Sequence, residues 1–137
     1  MATIIEDYVS FEIAKLLKEK GFTENCIMRY NRVGDLVEEA YKFNWNFQTI
    51  DYSAPTLQMA MKWLREEYNL FIEIQCYGCE ANEKAHFEFS YVISEYVQFD
   101  NKICTTVGLD EKKAKSQFKS YEEACEAAIE YCLKNLI

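Results

Sequence analysis

Apolar residues recur with a helical period in three segments of the chain, two of them in its first half. Residues 10–20 carry a stripe of isoleucine and leucine between Ser10, which suits a helix N-cap, and Gly21, which suits a helix end. Residues 53–68 repeat the pattern, and Pro55 falls in the first turn, where its missing N–H costs no hydrogen bond. We predict an amphipathic helix over each segment.

The third helical segment covers the C-terminal residues and has the most regular pattern. Ser120 and Glu123 have the spacing of a capping box, in which each residue bonds the backbone of the other. An apolar stripe of period 3.6 then continues without interruption: Tyr121, Ala124, Cys125, Ala128, Ile129, Cys132, Leu133 and Leu136. We predict a third helix with this stripe buried.

Between the second and third helical segments, apolar residues alternate with polar ones, as they do in half-buried strands. Residues 70–77, 86–97 and 102–107 show this alternation and are joined by short connections. Three such strands in succession predict an antiparallel meander with one buried face. A further strand is predicted at residues 26–30, followed by a turn at residues 31–35.

Residues 36–52 fit neither period throughout. The apolar positions of residues 36–41 have the spacing of one helical turn, whereas Phe43, Trp45 and Phe47 alternate with two asparagines, as in a strand. For this segment we predict a helical turn followed by a strand or an extended loop.

Together these elements predict an α+β fold: an antiparallel meander of three to four strands with helices packed mainly on one face. The length and the low glycine and proline content predict a single domain over residues 1–137. From residue 53 onward the order helix, strand, strand, strand, helix is that of double-stranded RNA-binding domains. This likeness is one of topology, and topology does not carry function.

The charge balance bears on the kind of partner. The chain has 15 Lys and Arg against 23 Asp and Glu, a net charge of −8. Because nucleic-acid binding depends on basic residues that neutralise phosphates, general binding to nucleic acid or to an anionic membrane is disfavoured. The N-terminus lacks a signal-peptide pattern and no apolar run is long enough to span a membrane, so we expect a cytoplasmic protein.

Signals of catalysis are few. The chain has no glycine-rich phosphate loop, no nucleophile elbow and no metalloprotease helix motif, and His86 is its only histidine. We therefore expect a protein that is not an enzyme and that needs no cofactor. A small zinc-binding or Cys/His-dependent enzyme is the last-ranked alternative.

Most of the six cysteines are expected to be free thiols that pack as small apolar side chains, because no secretion signal accompanies them. The sharpest local motif joins Cys76 and Cys79 in the Cys-x-x-Cys spacing of zinc knuckles, with His86 and Cys104 as conceivable further ligands. The favoured interpretation is a plain hairpin turn, with Gly78 supplying the bend.

An aromatic-rich segment is the first candidate for binding. It consists of Tyr41, Phe43, Trp45, Phe47 and Tyr52, with asparagines between them. Tryptophan and tyrosine are favoured anchors of binding surfaces, and asparagine supplies donors and acceptors. The same rings could instead fill the core of a small domain. Both interpretations stay open at this point.

A cluster of lysines is the second candidate. Lys112, Lys113, Lys115 and Lys119 precede the third predicted helix and form the one cationic cluster in the chain. A solvated loop is the favoured interpretation. With an aromatic platform, the same cluster could hold a small anionic ligand such as a nucleotide-like signal.

Three stretches of the chain stand out together: YVSFEIAKLLKEKGF at residues 8–22, YSAPTLQMAMKWLRE at residues 52–66 and SYEEACEAAIEYCLKNL at residues 120–136. They resemble a group of small uncharacterised proteins carried by phages and prophages of gut bacteria. The resemblance spans the chain and carries no known activity. It implies an accessory protein that binds a host factor or sequesters a small signal in the cytoplasm of the host cell.

We therefore expect a non-enzymatic phage-type accessory protein that binds a host protein, with antagonism of that protein as one form of its action. The alternative is a protein that binds or sequesters a small ligand. A monomer and a homodimer are both compatible with the sequence.

Overall fold

The computed structural model describes residues 3–48, 50–81, 84–99, 102–107 and 118–137. Within these residues the chain forms three helices, six strands and one short 3-10 turn. In chain order they are α1 Phe11–Glu19, β1 Cys26–Tyr30, β2 Leu36–Phe43, the 3-10 turn Trp45–Phe47, β3 Tyr52–Ser53, α2 Leu57–Tyr68, β4 Leu70–Ala81, β5 Lys84–Phe99, β6 Lys102–Val107 and α3 Tyr121–Asn135.

The first and third helices begin at the residues that the sequence indicates. The Ser10 hydroxyl accepts from the third backbone N–H of α1 at 3.3 Å, and Gly21 follows the helix with a φ of 89°. The Ser120 hydroxyl accepts from the N–H of Glu123 at 3.1 Å. The Glu123 carboxylate accepts from the N–H of Lys119 at 3.3 Å, one residue before the position that a capping box uses.

The second helix begins later than predicted. Its cap is Thr56, whose hydroxyl accepts from the N–H of Met59 at 3.1 Å, and its first residue is Leu57. Pro55 therefore lies before the helix, and the prediction that it occupies the first turn is wrong. The Pro55 carbonyl accepts from the N–H of Val9 at 3.0 Å, so this residue belongs to an extended connection that is tied to the N-terminal segment.

The predicted meander is confirmed as a three-stranded antiparallel sheet of order β4-β5-β6, called here the large sheet. On its inner face Leu70 and Ile93 are buried, and Ile72, Ile74 and Tyr91 pack against the core. Towards the C-terminal end of β4 the inner face opens to solvent, because the side chains of Cys76 and Phe87 are exposed. The fold is α+β, as predicted.

A second sheet, called here the small sheet, has the order β2-β1-β3. It corrects the prediction for residues 36–52: residues 36–43 form a strand and Trp45–Phe47 a 3-10 turn, the reverse of the expected order. The pairing of β1 with β2 shifts register between Cys26 and Met28, so Glu38 lies opposite Met28 while Phe43 lies opposite Cys26. This bulge interrupts the alternation that would have identified β2 in the sequence.

The core lies between the helices and the inner face of the large sheet. α2 packs on β4, α3 packs on β4 and β5, and α1 packs on α3, so the helices share one side of this sheet. Cys26, Cys125 and Cys132 are buried in the core as free thiols, as predicted, whereas Cys76 is an exposed free thiol. Within the described residues, no helix has both the length and the apolar character required for a membrane span.

Candidate functional site

The aromatic segment contains both core and surface side chains. Trp45 is 5% exposed, and its indole N–H donates to the Cys26 carbonyl at 2.7 Å. The ring of Phe43 packs edge-on against it with the centroids 5.0 Å apart. Trp45 and Phe43 therefore belong to the core, as one of the two interpretations of this segment requires.

The other aromatic side chains of the segment lie nearer to solvent. Tyr41 is 61% exposed and lies with its ring 5.8 Å from that of Trp45, and Phe47 is 81% exposed. Tyr52 is half-buried, with its ring edge-on to Phe11 at 5.5 Å and the Lys18 ammonium 4.8 Å from its centroid. Tyr41 and Phe47 are thus the members of the segment that can contact a partner directly.

Further exposed apolar side chains lie in the same region and were missed in the sequence. Residues 33–50 contain five of the twelve large hydrophobic side chains that are exposed within the described residues. We call these five the apolar set: Val33, Leu36, Tyr41, Phe47 and Ile50. Large apolar side chains concentrated at the surface mark interaction sites. One signal in the sequence could have revealed them: an apolar residue inside a turn, such as Val33, is not expected to reach the core and is therefore exposed.

A groove of about 530 Å³ joins two members of the apolar set. Val33, at 73% exposure, contributes from the β1-β2 turn, and Ile50, at 57% exposure, contributes from the loop before β3. The full lining is Arg29, Asn31, Arg32, Val33, Ile50 and Asp51. Arg32 makes no ion pair within the described residues, so its guanidinium is available to a ligand group at the rim of the groove.

The β1-β2 turn on one side of the groove is built by Asn31. Its side-chain oxygen accepts from the N–H groups of Val33 at 3.0 Å and of Asp35 at 2.9 Å. Gly34 has a φ of 93°, and a Cβ at that position would lie 3.0 Å from the ring of Phe11. The glycine therefore allows the turn to lie directly on α1, and this contact fixes where Val33 stands.

The loop on the other side is held by two cations. Arg29 bonds the carboxylates of Glu39 at 2.7 Å and of Asp51 at 3.2 Å. The Lys18 ammonium donates to the backbone carbonyls of Gln48 at 2.6 Å and of Asp51 at 2.7 Å. Desolvation by burial lowers the pKa of Lys18 despite the opposing effect of Asp51. These bonds fix both ends of the loop that carries Ile50.

Asn46 supplies a second anchor for the same region. Its amide nitrogen donates to the Phe22 carbonyl at 2.8 Å, and its amide oxygen accepts from the N–H of Ser53 at 2.9 Å. The side chain thus connects the 3-10 turn with the end of α1 and with β3. The sequence suggested that the asparagines of the aromatic segment contact a ligand. In the structure they instead hold the backbone of the segment in place.

Of the lysine cluster, the structure describes only Lys119, and it does not bring this residue to the aromatic segment. Lys119 is exposed beside the N-terminus of α3. Within the described residues, no hydrogen bond, ion pair or ring contact joins it to residues 41–52. Lys112, Lys113 and Lys115 lie outside the described residues, so the prediction of an anion site there stays a prediction.

The Cys-x-x-Cys motif has a different backbone conformation from the predicted hairpin turn. Cys76 to Cys79 run within β4, paired with residues 86–89 of β5, and Gly78 supplies no bend. His86 is partly exposed, with Nε2 3.1 Å from the Glu88 carboxylate. No group of three or more metal-binding side chains occurs within the described part of the chain, and the side chains of Cys79 and Cys104 lie outside it.

Comparisons with protein-family models, curated proteins and solved structures found no match to this chain. The resemblance of residues 8–22, 52–66 and 120–136 to phage-borne proteins thus stays a prediction. The order helix, strand, strand, strand, helix from α2 to α3 is present, with both helices on one face of the large sheet. This order describes the topology alone.

Proposed function

We propose that the chain is a non-enzymatic protein-binding protein whose docking surface is the apolar set on the small sheet. As a phage-type accessory protein, it would bind a host protein in the host cytoplasm, and antagonism of that protein would follow from occupation of its surface. The observation that carries the proposal is the exposure of the apolar set, two of whose members, Val33 and Ile50, line a groove whose two sides are fixed by hydrogen bonds and ion pairs.

The rigidity of this region favours binding. Ordering a flexible loop on association costs free energy that a pre-organised surface does not lose. The loop with Ile50 is already held by Lys18 and Arg29, and Tyr41 already rests on the ring of Trp45. Exposed aromatic side chains held in this way contribute contact area at low entropic cost.

The expected partner is a basic protein that presents an aliphatic or aromatic side chain to the groove. The chain has a net charge of −8, so its field attracts a cationic protein and accelerates the encounter. Val33 and Ile50 supply the apolar walls for the inserted side chain, and Arg32 can donate hydrogen bonds to a carbonyl or a carboxylate at the rim.

Affinity capture from extracts of a gut bacterium tests the proposal when three forms of the protein are compared. The wild type should retain a discrete basic protein, and the variant with Phe47→Ser and Ile50→Ser should lose it. The matched control carries Ile4→Ser and Ile5→Ser, which change two exposed apolar side chains outside the apolar set. Equal retention by all three forms, or no retained protein, would refute the proposal.

A further inference from the structure

β4 is an edge strand of unusual length and regularity. Within the described residues β5 is its one strand partner, and all twelve residues of β4 pair with β5 in a continuous register. Open edges invite pairing with another chain, and proteins commonly block them with a proline, a lysine or a bulge. β2 at the edge of the small sheet has a bulge and Lys42, whereas β4 has none of the three devices.

The hydrogen bonds of β5 show which backbone groups of β4 face the open edge. Phe89 exchanges both of its backbone hydrogen bonds with Phe118, at 2.9 Å each, on the side of β5 away from β4. Cys76 lies opposite Phe89, so these two residues form a pair without hydrogen bonds between them. Because the bonding direction alternates along a strand, Ile72, Ile74 and Cys76 direct their N–H and C=O groups away from β5.

We infer that β4 pairs antiparallel with β4 of a second copy of the chain, about a two-fold axis at Ile74. The two sheets then continue as one six-stranded sheet, with the helices of both copies on the same face. Ile74 would exchange both backbone hydrogen bonds with Ile74 of the partner subunit. Ile72 would bond Cys76 of the partner subunit in the same way, and the symmetry repeats this pair.

The side chains of β4 are complementary to themselves in this register. On the outer face, exposed Phe71 lies opposite the partner's Tyr77, and Glu73 lies opposite the neutral amide of the partner's Gln75. Aromatic pairs across strands stabilise a sheet, and like charges directly opposite destabilise it. An axis at Glu73 would oppose two carboxylates, and an axis at Gln75 would lose the aromatic pair. The axis at Ile74 avoids both faults.

Two substitutions of Gln75 test the register because they act with opposite sign. In the monomer Gln75 is exposed and lies opposite Ser90, which is neutral, so both variants should fold. Gln75→Lys places a lysine opposite each Glu73 of the dimer and should tighten the dimer about five-fold, and Gln75→Glu should weaken it about five-fold. Sedimentation of the full chain over a concentration series gives the dissociation constants.

A second pair of variants tests the edge itself. Cys76→Pro removes an N–H that points away from β5, and an edge strand tolerates proline at such a position. The dimer should be lost in Cys76→Pro and kept in Cys76→Ser, while circular dichroism reports that both variants fold. A wild-type chain that stays monomeric up to about 1 mM would overturn the inference. So would an unchanged dimer in Cys76→Pro, or shifts of the same sign in the two Gln75 variants.

Discussion

Trp45 and Phe47 lie two residues apart in one 3-10 turn and have opposite roles. Trp45 is buried with its indole N–H bonded, whereas the side chain of Phe47 is almost fully exposed. Trp45→Ala should therefore lower the free energy of unfolding by about 3–5 kcal/mol, through the lost burial and the cavity. Phe47→Ala should change it by no more than about 0.5 kcal/mol. Urea denaturation measures both values, and equal values for the two variants would contradict these assignments.

The three buried thiols predict how stability changes with pH. Burial raises the pKa of Cys26 and of Cys132 to about 12 and that of Cys125 to about 11, from an ordinary value of 9.0. Above pH 9.0 these thiols ionise in the unfolded chain while they stay protonated in the folded chain. Their contribution to stability is thus complete below that pH and is lost as the pH rises through the folded values.

Urea denaturation between about pH 8 and pH 11 measures this effect. The midpoint should fall steadily above pH 9.0, and the slope should be smaller in Cys132→Ala, which removes one of the titrating groups. Burial also raises the pKa of Tyr30 and Tyr91, so these two side chains add to the loss of stability at the upper end of the pH range. A midpoint that stays constant up to pH 11 would show that the thiols ionise as readily in the folded chain.

Among the connections between elements, the Glu39–Arg29–Asp51 network is the one that positions the candidate site, because it joins β2, β1 and the loop before β3. Arg29→Met should lower the free energy of unfolding by about 2–3 kcal/mol, because it leaves the buried Asp51 carboxylate without its cation. It should also weaken partner binding, since the loop with Ile50 loses an anchor.

An ion pair of similar length elsewhere provides the control for this element. Lys15 and Glu12 on α1 are 2.7 Å apart, and Glu12 is largely exposed. Lys15→Met should change the free energy of unfolding by no more than about 0.5 kcal/mol, as expected for a surface ion pair. If thermal unfolding shows equal losses for Arg29→Met and Lys15→Met, the network does not hold the loop.

The elements also show which parts of this fold a sequence can specify. The helices were predictable because their determinants are local: the caps at Ser10 and Ser120 and a stripe of period 3.6. The small sheet was not, because β2 exposes Leu36 and partly buries Glu39. The Glu39 carboxylate can be partly buried because the Arg29 guanidinium neutralises its charge. Arg29 lies ten residues away in the chain, so the periodicity of the sequence cannot reveal this pairing.

The candidate site was predictable only in part, for a related reason. The sequence indicated the aromatic segment. It could not show that Trp45 and Phe43 belong to the core while Tyr41 and Phe47 are exposed, because this division depends on the bulge and the 3-10 turn. The groove was not predictable, because Val33 and Ile50 meet through the pairing of β1 with both β2 and β3. Sites of this kind depend on contacts between residues that are distant in the chain.

At the scale of the whole molecule, the two proposed surfaces belong to different sheets. The apolar set lies on and around the small sheet, and the open edge belongs to β4 of the large sheet. Substitutions at Gln75 can therefore alter self-association without changing the docking surface, and substitutions at Phe47 can do the reverse. The net charge of −8 attracts a basic partner and acts against dimerisation, so added salt should weaken the first association and strengthen the second.

Site-specific photo-crosslinking in the host cell tests the central claim most directly. A photoreactive phenylalanine analogue would replace Tyr41, Phe47 or Ile50 in the docking surface, and Ile4 as a control that is more exposed than any of the three. The proposed docking surface predicts that the three docking positions give crosslinks to the same basic host protein and that position 4 gives none. Crosslinks of equal yield from position 4, or none from the three docking positions, would contradict it.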